Sequence, residues 1–275
     1  MPAPPTRPRL TSPRVATSPG CVPLKEAYAR AEALQPKSWG QVEDLFLRGM
    51  EGFDQNLVAG VADMGDLQNG KGDFFNDLLS LLLEHCAGVQ LYSRGKVPGL
   101  MIPRHNLDVT FPAQGNIEFV LEAKAVGTPK HPGSPQAKPL GRPGSADLDK
   151  RVKEIGFKTI DLKAEYARLL AADGMSPTSI SGDLTGWLRS VKPRSYLFVA
   201  SRVLSDQDLK QVIRKAEHAT LLCDGVGLFA FRPVSPDAPT TYEAASVPSG
   251  LELARVLFRA CQELTAIKAA RPDDV

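Results

Sequence analysis

The sequence predicts an α/β fold, a mixed central sheet with helices on its faces and an antiparallel hairpin built into it. Two observations carry this. Apolar runs of strand length, such as Tyr196–Ala200, alternate with longer segments of helical periodicity. Asn106–Ala125 reads as two strands joined directly by a turn at Pro112–Asn116. At 275 residues the chain is long enough for a full core. Apolar and charged fractions of 43% and 23% are ordinary for a soluble globular protein. The net charge of +2 does not mark a nucleic-acid binder, so that case rests on where the charges lie.

Residues Met1–Pro23 are rich in Pro, Ser and Thr with Arg7, Arg9 and Arg14, and are expected to form a disordered basic tail. Residues 24–270 are expected to form one domain: a helical extension over 24–70, a core over 72–232 and a last helix over 248–269. Leu24–Leu34 and Gln41–Val61 carry helical spacing, and Met64–Gly72 reads as a polar, glycine-rich loop. Gly72–Cys86 has the broad apolar face of a helix, with Asp73 as its N-cap and Asp77 and Glu84 on one flank. Gln90–Val97 is a short strand or turn, followed by the Pro98–Gly99 break, and the hairpin comes next.

Val126–Gly144 is a long Pro- and Gly-rich loop carrying Lys130, His131, Lys138 and Arg142. Ser145 caps a helix over Ala146–Ala172 in which Gly156 suggests a break; six bases and five acids nearly cancel along it. A polar connection, Asp173–Gly186, leads to the buried strand Ser195–Val203. Ser205 and Asp208 open a helix to about Ala219. Val226–Phe231 is a strand closed by Pro233, Thr240–Val247 is irregular, and Ser249 with Glu252 forms a capping box for the last helix. The four cysteines are far apart in sequence and read as reduced thiols of a cytoplasmic protein. No apolar run approaches the ~20 residues of a membrane span.

The hairpin holds the chemical interest. Glu122 and Lys124 lie two apart in an apolar strand, so both share a face with Val120, while Phe119, Leu121, Ala123 and Ala125 take the other. Asp108 stands on the paired arm. Charges on a covered strand are costly unless paired or bound to a cation. The alternative is an exposed sheet face lined with salt bridges. Two carboxylates at facing strand edges suit Mg²⁺, which takes few protein ligands and keeps its waters. The backbone carbonyl of Ala123 is a reasonable third ligand. Such a metal assists phosphodiester hydrolysis by offsetting charge and acidifying a water, which Lys124 can orient or deprotonate.

The pattern resembles the PD-(D/E)XK nuclease superfamily, which carries an acid on one strand and Glu-x-Lys on the next. The matching residues are Asp108 and Glu122-Ala123-Lys124, and the resemblance spans roughly Gly72 to Arg232. It implies a restriction-endonuclease-like core and a Mg²⁺-dependent DNA endonuclease, nearest to type II restriction enzymes, acting as a homodimer on double-stranded DNA. Asp108, Glu122 and Ala123 would hold the metal and Lys124 would assist the water. Asp77, or more weakly Glu84, answers to an acid that many members carry on the preceding helix. Lys130, Lys138 and Arg142 in the loop, with Lys158 and Lys163 on the long helix, are candidate DNA contacts. A repair or recombination nuclease of the same fold and a non-catalytic DNA-binding protein are the alternatives. Two minor motifs compete: His105 as a zinc or acid–base residue, and Gly65-x4-Gly70-Lys71, which opens like a P-loop but has Gly72 where a hydroxyl is needed.

Overall fold

Six strands form one sheet in their order along the chain. They are β1 (Tyr92–Val97), β2 (His105–Phe111), β3 (Phe119–Val126), β4 (Arg194–Arg202), β5 (Gly225–Ser235) and β6 (Ala238–Ala245). The helices are α1 (Val42–Val58), α2 (Met64–Ala87), α3 (Ser145–Ala172), α4 (Leu184–Ser190), α5 (Asp206–Ala219) and α6 (Leu253–Ala269). The computed structural model describes residues 42–60, 64–112, 116–134, 140–172 and 184–271. The expected tail, the expected helix over 24–34 and Lys138 lie outside them.

The sheet is mixed, as the sequence predicts. β1, β2 and β3 form an antiparallel meander, β3, β4 and β5 run parallel, and β6 returns antiparallel to β5. Parallel neighbours need long crossovers, and α3 and α5 supply them. Phe119, Leu121 and Ala123 point into the larger core, among Phe46 and Met50 of α1, Phe74 and Leu78 of α2 and Leu257 and Leu264 of α6. On the opposite face Leu197, Val199 and Leu228 meet Leu148 and Ile155 of α3 and Val212 and Ala216 of α5. The central strands are thus covered on both sides, which is why they read as continuous apolar runs.

Several expectations give way to tertiary packing. The loop expected over 64–72 is the first part of α2. Its glycines cost helix propensity, but a Cβ at Gly70 would come 2.9 Å from the Phe53 ring, and Lys71 reaches Asp54 of α1 at 2.8 Å. Close packing against α1 overrides the local preference, and the P-loop reading falls with the loop. α3 runs unbroken through Gly156, where the missing side chain makes room for Leu222.

β5 continues past Pro233, because β4 ends opposite Phe231 and the proline then faces no donor-requiring neighbour on that side. Its extension pairs with β6, in the segment expected to be irregular. The last helix starts at Leu253 with Glu252 at its N-cap and no side-chain cap; Ser249 instead precedes a turn whose Leu251 carbonyl accepts from Leu228. Ser205 does cap α5, accepting from Asp208 N at 3.1 Å. α4 lies at the end of the expected connection. The cysteine expectation is corrected as well: Cys86 of α2 and Cys261 of α6 are disulfide-bonded, with Cα atoms 6.0 Å apart. Their separation of 175 residues hid two adjacent helices. Cys223 is the buried free thiol among the described residues, its pKa pushed up to about 12 by burial.

Candidate functional site

The ladder between β2 and β3 is short. It pairs Phe111 with Phe119, Thr110 with Val120 and Val109 with Leu121. Beyond that point β2 stays with β1 as far as His105, and β3 stays with β4 as far as Val126. The strands therefore part at the next positions of the register, Asp108 and Glu122. Asp108 closes part of the gap, its Oδ2 accepting from Ala123 N at 2.9 Å. A strand residue turns its own N–H and C=O to the same edge, so the Ala123 carbonyl faces this split too.

Lys124 sits between the acids, its Nζ 2.8 Å from Asp108 Oδ2 and 2.7 Å from Glu122 Oε2. Lys158, from α3, donates to Glu122 Oε1 and to the Asn106 carbonyl, each at 2.8 Å, and so spans the split from β3 to β2. Glu122 is nearly sealed at 2% exposure, while Asp108 keeps 34%, Lys124 21% and Lys158 25%. An exposed sheet face does not describe this strand, because α3 covers it at Glu122. Burial alone would lower the Lys124 pKa; the charges and hydrogen bonds of Asp108 and Glu122 outweigh it and hold the ammonium above its ordinary value. In the absence of a cation Lys124 is a proton holder, not a base.

Among the described residues no three His, Cys, Asp or Glu side chains converge as a metal site. Mg²⁺ asks for less, one or two carboxylates with retained waters. Asp108 and Glu122, with the Ala123 carbonyl, meet that need, provided the two ammonium groups yield part of their hold. The one-third-exposed Asp108 is the side on which the split opens to solvent.

The other candidates divide. Lys158 joins the split itself, a role not legible from its place on a charge-balanced helix. Lys163 is no DNA contact: it is fully buried, donating to Val191 O at 2.6 Å and Asp224 Oδ2 at 3.0 Å, and burial lowers its pKa. Arg142 is exposed but paired with Asp147, and its backbone bridges to Thr128 at the base of the loop. Lys130 is exposed on the same loop. Asp77 is buried on α2, which covers the opposite face of the sheet from Glu122 and Lys124. Glu84 is buried on that helix, where Oε1 accepts from Leu91 N at 2.8 Å. His105 pairs with Asp161 at 2.7 Å, both buried.

A second charged group escaped the sequence reading. Lys71 pairs with Asp54 and donates to Gly127 O at 3.3 Å; Tyr242 Oη donates to Asp54 at 2.6 Å; Arg202 reaches Tyr242 and the carbonyls of Thr128, Leu140 and Pro239. A signal existed for one member, since Asp54 falls on the apolar spacing of Met50 and Leu57. This network pins the base of the 127–144 segment to the core. No protein-family model, curated protein or solved structure matches the chain, so a functional reading rests on the geometry of the split.

Proposed function

We propose that the chain is a Mg²⁺-dependent endonuclease of the PD-(D/E)XK type with a restriction-endonuclease-like core. It would cut double-stranded DNA, most simply as a sequence-specific type II restriction enzyme working as a homodimer in the cytoplasm. A two-fold pair of sites matches the two strands of a palindrome. The observation that carries the reading is the convergence of Asp108, Glu122 and Lys124 where β2 and β3 separate, with both carboxylates within hydrogen-bonding distance of Lys124 Nζ.

Asp108 and Glu122, with the Ala123 carbonyl, would hold the ion, which when bound offsets charge on the phosphate and lowers the pKa of the attacking water. Lys124, kept as an ammonium, orients that water and stabilises charge on the phosphoryl oxygens. Lys158 holds Glu122 in place and adds positive charge to the same gap. Lys130, exposed on the loop that follows β3, would contact phosphate outside the gap.

One observation favours the non-catalytic alternative: two ammonium groups already balance two carboxylates, as a purely structural cluster would. The Cys86–Cys261 bond also pulls against a cytoplasmic location, where thiols are kept reduced. Incubation of a long unmodified DNA with Mg²⁺, beside Ca²⁺ and Lys124→Ala controls, decides the matter. Discrete fragments that need both Mg²⁺ and Lys124 support a restriction enzyme. Unspecific degradation with the same needs supports a repair-type nuclease. DNA binding without cleavage of any substrate returns the split to a salt-bridge cluster.

A further inference from the structure

Asp161 stands on α3, three residues beyond Lys158, and it organises the connection between β1 and β2. Its Oδ1 accepts from Met101 N at 2.7 Å, and its Oδ2 from Ile102 N at 3.1 Å and beside His105 Nε2 at 2.7 Å. Its carbonyl accepts from Leu100 N at 3.3 Å, and Gly99 N donates back to Ile102 O at 2.9 Å. A Cβ at Gly99 would overlap the Asp161 carboxylate, so only glycine lets the turn lie this close. Three consecutive amides are thereby fixed by one residue.

What these bonds hold outward is apolar. Met101 is 72% exposed, Leu100 52% and Ile102 39%, and Phe157 and Ile160 of α3 continue the surface at 46% and 37%. A contiguous apolar projection on a stiff turn marks a binding surface, since a scattered surface residue would need no such support. Lys96 and Arg104 flank the tip, both exposed, and neither forms an ion pair with another described residue. An apolar tip between two cations complements a ligand that is apolar inside and anionic outside. A second copy of this surface would instead bring like charges together. The tip lies before the start of β2, which is itself three residues from Asp108, about 10 Å along the strand.

We infer that the Leu100–Ile102 tip is a wedge that enters the base stack of bound DNA, with Lys96 and Arg104 on the phosphates either side, at a base step away from the phosphate at the split. The inference rests on the nuclease reading and adds to it a distortion of the substrate. Apolar side chains inserted between base steps unstack them and kink the duplex.

The test uses full-length protein and a random-sequence duplex pool in which part of the adenine is replaced by 2-aminopurine, with Ca²⁺ in place of Mg²⁺ to keep the strands uncut. Anisotropy reads affinity and 2-aminopurine fluorescence reads unstacking. Wild-type protein should raise the fluorescence on binding. Met101→Ala should remove most of that rise at saturation and weaken binding roughly five- to tenfold, the scale of losing one base-stacking side chain. The pair Lys96→Gln and Arg104→Gln should keep the rise at saturation but reduce the salt slope by about two, one for each phosphate contact. Wild-type binding and cleavage without a fluorescence rise, or an unchanged rise in Met101→Ala, overturns the wedge and leaves the nuclease reading standing. A Met101→Ala change in the sedimentation coefficient of the DNA-free protein overturns it in favour of a self-association surface. Absence of any DNA binding by the wild type sinks both.

Discussion

Two lysine–carboxylate clusters in this molecule share their chemistry and differ in almost everything else. At Asp54–Lys71 the ion pair spans 2.8 Å with both side chains under 5% exposed, and Tyr242 and the Gly127 carbonyl take up remaining bonding capacity. At Asp108–Lys124 the distance is again 2.8 Å, but the pair lies at the mouth of a split between strands and Asp108 is one-third exposed. The first cluster ties α1, α2, β6 and the base of a long loop together. The second bridges a gap between two strands that are each paired on their outer sides, joining β2, β3 and α3 only through side chains where the ladder has ended. A short ion pair by itself therefore says little about role. Access to solvent and surplus acceptor capacity separate a site from a brace.

The sharpest break of that comparison is a lysine truncation at each cluster. Lys71→Ala leaves Asp54 buried without its cation and should cost about 3–5 kcal/mol in urea unfolding. Lys124→Ala should cost clearly less, because Lys158 still pairs Glu122 and water reaches Asp108. Equal losses at the two positions would mean that the split is a brace as well.

Activity should invert that ranking. On the proposed reading Lys124→Ala lowers Mg²⁺-dependent DNA cleavage roughly 10²–10³-fold, the scale of removing one charge-stabilising donor from a reaction centre. The same variant should bind Ca²⁺ at least as tightly as wild type in titration calorimetry, since Lys124 occupies oxygens that the ion would use. Loss of Ca²⁺ binding in this variant would contradict the assignment of Asp108 and Glu122 as ligands. Lys158→Ala removes one charged hydrogen bond from Glu122 and should slow cleavage about tenfold, measured on the same substrate.

The two clusters were also unequally legible. Asp108, Glu122 and Lys124 stood out because a charged pair inside the apolar run 117–125 breaks a local rule, and strand alternation put them on one face. Lys158 could not be placed, because its meeting with Glu122 depends on how α3 lies across the sheet. Lys163, five residues on, looks like the same kind of residue in sequence yet points into the protein. The brace at Asp54 joins residues 188 apart through Tyr242, and such a contact leaves no trace in local pattern. The same holds for the fold: the periodic elements were readable, whereas the early start of α2, β6 and the Cys86–Cys261 bond follow from tertiary neighbours.

The smallest expected effect concerns Asp161, which joins the site region to the β1–β2 turn. Burial would raise its carboxyl pKa, but hydrogen bonds from His105 and from the Met101 and Ile102 amides outweigh this and hold it below the ordinary value of 3.8. A carboxyl depressed in the folded state contributes stability that is complete above its unfolded pKa and disappears as pH falls through the folded one. The turn should therefore stay anchored at neutral pH and loosen only in that acid window. Amide exchange at Met101 and Ile102, followed downward from pH 5, should accelerate beyond its intrinsic acid dependence in the wild type. In Asp161→Asn the same amides should already be less protected at neutral pH and show no further step. A step that persists in Asp161→Asn would locate the acid-sensitive group elsewhere and detach the turn from its proposed anchor.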